Sequence, residues 1–117
     1  MAVIRKGDGA VVATEVELAD TFFRQLRGLM FRRDLPESYA MLFDLYYERP
    51  VSFHMMFVRF PLDMLFLDDE RRIIDLRRGL CPWTGHASSR QPARYVIELP
   101  AGTVGRLALR EGDELAW

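Results

Sequence analysis

Cysteine and lysine are almost missing from this 117-residue chain, which has one of each, Cys81 and Lys6. A single cysteine excludes an internal disulfide and leaves no cysteine pair for a zinc site. The other basic residues are all arginine, and 16 basic side chains against 17 acidic ones leave a net charge of −1. That balance offers no global field to draw in nucleic acid or an anionic membrane. The longest apolar stretch is interrupted by Arg59 and Asp63, too soon to span a bilayer. The start, Met1 to Gly9, has no apolar signal core. These absences predict a soluble, cytoplasmic protein. Repeats, low-complexity runs and linkers are also missing, so residues 1–117 read as one domain. No phosphate-binding loop, dinucleotide fingerprint, RNA-binding motif, Ser-His-Asp order or paired-carboxylate spacing is present. The expectation is no cofactor, no metal, no nucleic acid and no membrane.

What is present is an apolar chain, 50% hydrophobic, organised around residues 53–67. At period two, Phe53, Met55 and Phe57 share one face, with His54, Met56 and Val58 on the other. Two apolar faces predict a strand covered on both sides. Pro61 predicts a break, with a second strand over Met64–Leu67. Asp63, between Leu62 and Met64, is the anomaly, because a bare buried carboxylate is costly.

Elsewhere, residues 2–5 and 10–18 read as strands joined by Lys6-Gly7-Asp8-Gly9. Asp20-Thr21 offers a helix cap, and Phe22, Leu26, Leu29 and Met30 form a helical stripe, so the main helix is placed at about 20–31. Residues 34–40 and 46–50 read as loops around a short strand over 41–45. Asp68-Asp69-Glu70 is a turn into a strand over 71–77, and 79–92 is the longest irregular segment. A strand over 94–99, a helical turn within 101–109 and a final strand over 114–117 complete the chain. The predicted class is α+β: a mostly antiparallel, strongly curled sheet or partly open barrel of about 7–8 short strands, with the one main helix.

Five residues are candidates for a ligand site: His54, Arg59, Asp63, Trp83 and His86. Asp63 reads either as a polar anchor paired with Arg59, or as a carboxylate that caps backbone N–H groups after the Pro61 break or pairs with an arginine of the helix. His54 reads as acid/base or metal ligand, against a structural histidine. It is far from His86 in sequence and no third ligand offers itself. Trp83 and His86 would form an aromatic rim on the 79–92 loop. Cys81 would be a reactive thiol only beside a cation or helix N-terminus. Met41, Met55, Met56 and Met64 suit Cu(I) in principle, yet methionine is an ordinary filler of irregular cores.

The ordered motifs resemble one family. They are Ala19-Asp20-Thr21, Arg27-Gly28-Leu29-Met30-Phe31-Arg32, Met41-Leu42-Phe43, Phe53-His54-Met55, Pro61 to Asp68, Ala93 to Gly102, and Gly112-Asp113. Together they resemble the family known as domain of unknown function 192, from about residue 10 to the C-terminus. The resemblance implies a β-rich α+β domain without an established activity. Many members carry a secretory or lipoprotein signal that this N-terminus lacks. Where many relatives read Phe-Trp-Met-Lys-Asn-Thr, this chain has Phe53-His54-Met55-Met56-Phe57-Val58. The expectation is a non-catalytic domain, monomeric or weakly self-associating, that binds a small molecule or protein partner where the Arg59–Asp63 bend meets the 79–92 loop. The alternatives are a small enzyme using Asp63 or His54 as general base, and a structural or assembly module.

Overall fold

The computed structural model describes residues 1–19, 29–30 and 32–117. Among them the elements are ten strands and one short helix. Strands β1 (Val3–Arg5), β2 (Val11–Ala13) and β10 (Leu115–Ala116) form an antiparallel sheet in the order β10-β1-β2. The principal sheet has the order β3-β4-β9-β6-β7, from β3 (Glu15–Ala19), β4 (Tyr39–Arg49), β6 (Leu62–Leu67), β7 (Ile73–Leu80) and β9 (Ala93–Pro100). A two-stranded ribbon pairs β5 (Ser52–His54) with β8 (His86–Ser88), and the helix α1 spans Thr103–Leu107.

The core sits on both faces of the principal sheet. Every residue of β6 is buried, the pattern of a strand covered on two sides. Leu42, Leu65, Leu67, Ile97 and Leu99 pack with Val3, Val12, Val104 and Leu115 on the side of α1 and the small sheet. Met41, Phe43, Met64, Phe66 and Val96 pack with Leu29, Met55, Val58 and Ala87 on the other. Fully burying side chains of this size contributes about 1.5–3 kcal/mol each before entropy is subtracted.

The architecture is α+β and rich in sheet, as expected, but several details differ. The principal sheet is mixed, because β3 runs parallel to β4. It is open, with β3 and β7 at its edges, and three separate sheets replace the expected single curled or barrel-like one. The strand expected over 10–18 breaks at Thr14, and its halves enter different sheets; the N–H groups of Thr14 and Glu15 both donate to the Ser38 carbonyl. β4 runs well beyond the expected 41–45, kinked where Tyr46 takes a left-handed conformation (φ 70°) and its N–H bonds Asp44 Oδ1. The expected strand through Phe53–Val58 stops at His54, and β8 lies inside the expected 79–92 loop. The helix expected at about 20–31 lies outside the described residues, Leu29 and Met30 apart.

One side chain ties three elements together. Asp63, 1% exposed, points from β6 into the α1 side of the core. Its Oδ1 accepts the Gly79 N–H at 2.9 Å; its Oδ2 accepts those of Val104 at 2.8 Å and Gly102 at 3.1 Å. Gly79 (φ 61°) lies at a register shift in the β6–β7 pairing, where its N–H turns out of the ladder towards the carboxylate. Gly102 (φ 94°) begins α1 and has no side chain to cap it, so Asp63 supplies the cap from another strand. Asp63→Asn keeps the volume but sets an NH₂ group against backbone donors. It is expected to lower the urea-unfolding free energy by roughly 3 kcal/mol, as for a buried charge-assisted acceptor. A loss below about 1 kcal/mol would show that these bonds do not hold the fold.

Candidate functional site

The ribbon and the turns at its end bring three of the five candidate residues together. β5 and β8 pair with His54 directly opposite His86 and Ser52 opposite Ser88. All four are exposed on one face of the ribbon. His86 Nε2 lies 2.7 Å from Ser52 Oγ, which accepts the Ser88 hydroxyl at 3.2 Å. His54 Nδ1 instead accepts the Met56 N–H at 3.2 Å, so the two imidazoles lean in opposite directions along the ribbon. Ser52 and His86 are within proton-transfer reach, yet no carboxylate of the described residues bonds His86 to orient it.

Past the ribbon, residues 55–58 and 81–85 form two turns locked against each other. Trp83 N–H donates to the carbonyls of Met55 (3.0 Å) and Val58 (3.2 Å), and Met55 N–H to that of Gly85 (2.9 Å). The contact is close enough to require glycine: a Cβ on Gly85 would lie 2.6 Å from the Cys81 carbonyl oxygen and 2.8 Å from Met55 Cγ. Met55 and Val58 turn inward and anchor the pair. Met56, Phe57 and Trp83 turn outward, with 52%, 39% and 51% of their surfaces exposed. Phe57 and Trp83 meet edge to face at 5.3 Å. Both have left-handed backbones, φ 63° and 66°, which bulky residues adopt only when the surroundings impose it.

Arg59 follows directly, exposed and with no ion pair among the described residues. Asp63 is not beside it as a partner: both of its oxygens are taken by backbone donors, the capping alternative in the sequence. A second buried carboxylate, Asp75 on β7, secures the far end of the ribbon. It accepts Arg77 Nη1 at 2.6 Å and the N–H groups of Leu76 and Arg90 at 2.9 Å. Burial opposes its ionisation, but the Arg77 and backbone bonds prevail and lower its pKa.

Sequence reasoning missed Glu98. It sits on the central strand β9 between Met41 of β4 and Met64 of β6, 5% exposed. No hydrogen bond or ion pair reaches it among the described residues, and burial raises its pKa to about 8. On the same sheet face, the Tyr39 hydroxyl is buried, and burial raises its pKa too. Tyr39 also borders a cavity of about 280 Å³ with Glu15, Val16, Glu17, Arg32 and Pro36. Arg32 spans Glu17 with two bonds, 2.6 and 2.7 Å. The signal was available: Glu98 between Ile97 and Leu99 repeats the anomaly of Asp63 between Leu62 and Met64.

Fold and surface define an α+β domain with a rigid pair of turns at one end. Against known proteins, the family described as "Uncharacterized ACR", domain of unknown function 192, matches residues 3–117. The chain belongs to that family. A UPF0127 protein of Thermococcus sibiricus is 38% identical, over 98% of this chain and 73% of its own length. A UPF0127 protein of Pyrococcus furiosus is 35% identical, over 93% and 91%. A crystal structure from Sinorhizobium meliloti, provisionally described as a transcription regulator, superposes with a TM-score of 0.88 at 36% identity, covering 98% and 92% of the two chains. A protein of unknown function from Novosphingobium aromaticivorans gives 0.89 at 28% identity, covering 100% and 84%.

The raised pKa of Glu98 sets a pH dependence. Between its unfolded value near 4.5 and its folded value of about 8, the folded state holds a proton that the unfolded chain has released. This contribution therefore falls as pH rises through that window, by a few kcal/mol in all, and levels off above it. Glu98→Gln removes the titration. The variant is expected to gain on the wild type between pH 5 and pH 8, by an amount on the order of 3 kcal/mol in chemical denaturation. Parallel pH profiles would refute the assignment.

Proposed function

We propose that the domain is a non-catalytic binding module whose contact surface is the paired turn: His54, Met56, Phe57, Arg59, Trp83 and His86. The observation that carries this reading is the conformation of Phe57 and Trp83. A left-handed backbone costs an L-residue roughly 1–2 kcal/mol, and here it holds two aromatic rings in solvent. Large exposed aromatic side chains on a rigid backbone are the usual anchors of an interface, because little side-chain entropy is lost when they are covered. Asp63 is excluded from the surface because its oxygens are occupied by backbone donors.

The Ser52–His86 contact favours a second reading, a hydrolytic dyad on the ribbon face. Turnover of activated esters lost in both Ser52→Ala and His86→Ala would establish it. The first reading expects no such loss, because neither a cleft nor an orienting group completes the pair.

The binding reading is tested by site-specific photo-crosslinking at position 56 in cells, with and without Phe57→Ser and Trp83→Ser. Both substitutions are on exposed side chains and are expected to leave the melting temperature within about 4 °C of wild type, as for a change near 1 kcal/mol or less. Adducts found in the wild type should disappear in the double variant. Adducts that persist unchanged would contradict this surface.

A further inference from the structure

We infer that Met41, Glu98 and Met64 form a site for a soft monovalent metal ion of the Cu(I) class, inside the principal sheet and separate from the paired turn. The three residues stand side by side on adjacent strands. Met41 of β4 lies directly opposite Glu98 of β9, and Glu98 directly opposite Met64 of β6. Cross-strand partners share a face and start about 5 Å apart, so two thioethers and a carboxylate can converge on one ion. Glu98 is buried and meets no hydrogen-bond or ion-pair partner among the described residues. A carboxyl so placed gives the fold nothing that leucine would not supply at lower cost. Asp63 and Asp75, by contrast, are held by backbone donors and an arginine. Of the three buried carboxylates, Glu98 is the one left for a ligand.

Methionine is an ordinary filler of irregular cores, and its placement tells the two readings apart. The principal sheet carries an apolar core on each face. Among the described residues, Met30, Met41, Met55 and Met64 all belong to the core on the Glu98 face, and the core on the other face contains no methionine. Gap filling alone would serve both cores. Thioethers are soft ligands that favour Cu(I), and one monovalent ion balances one carboxylate, leaving the buried pair neutral. Harder ions have no comparable place: the described residues hold no group of three or more histidine, cysteine, aspartate or glutamate side chains able to bind a metal. The row also reaches solvent. Glu17, opposite Met41 on β3, lines the cavity beside Tyr39, and Met41 and Glu98 each keep a few per cent of their surface exposed.

The probe is Ag(I), the redox-inert counterpart of Cu(I), titrated into the Cys81→Ser protein because the exposed Cys81 thiol would compete for it. Calorimetry should show a single ion bound per chain. The NMR signals of isotope-labelled methionine ε-methyl groups should report where it sits, with those of Met41 and Met64 moving together as the site fills. Zn(II) should leave both signals in place. Met41→Leu, Met64→Leu and Glu98→Gln should each weaken Ag(I) binding by about tenfold or more, as for loss of a group that holds a metal. The leucine variants nearly conserve volume and are expected to stay folded. Failure of Ag(I) to bind, or binding that leaves the Met41 or Met64 signal in place, overturns the assignment. So does binding at wild-type strength in any of the three variants.

Discussion

Asp63 is the constraint on which the rest depends. A carboxylate in the middle of a fully buried strand is tolerable only when its lone pairs are filled, and here three backbone N–H groups fill them. Those donors come from the β7 bulge and the start of α1, so one side chain fixes how the edge strand, the central strand and the helix meet. The β7 bulge in turn sets where Leu80 and Cys81 leave the sheet and where the Trp83 turn begins. A five-residue helix beginning at a left-handed glycine would be weak alone, and the cap from β6 gives it a defined start.

Asp75 repeats the device on the neighbouring strand β7. The bonds of Asp63 and Asp75 bracket β7, one at the bulge and one where the ribbon returns towards β9. Between them the two turns interlock through Trp83, Met55 and Gly85 without a bonded side-chain network of their own. Glu98 contrasts with both. It is equally flanked by apolar neighbours but meets no donor among the described residues, so burial acts on it unopposed. Three buried carboxylates in one sheet thus have two electrostatic fates, decided by whether backbone N–H groups turn towards them.

The strands at 62–67, 73–80 and 93–100 were legible because apolar runs bounded by Pro, Gly and acidic turns fit buried strands. The break in 10–18 was not: Val11 to Leu18 keeps its alternation while Thr14 and Glu15 turn to a distant carbonyl, Ser38. The parallel β3–β4 pairing also depends on contacts that local periodicity does not encode. Phe53–Val58 misled because an apolar run reads as buried. Only the tertiary contact of Trp83 with Met55 and Val58 ends the strand and turns Met56 and Phe57 outward. His54 pairs opposite His86 on the ribbon and Trp83 lies in the turn beside it, while Asp63 belongs to the scaffold behind them.

The most direct test of this account is native-state hydrogen exchange at the Gly79, Gly102 and Val104 amides. If Asp63 holds β6, β7 and α1 as one unit, the three should exchange only through global unfolding, with equal free energies. All three should become faster together when Asp63 is replaced. Fast or independent exchange at Gly79 and Val104 in the wild type would contradict the claim that one carboxylate organises this end of the molecule.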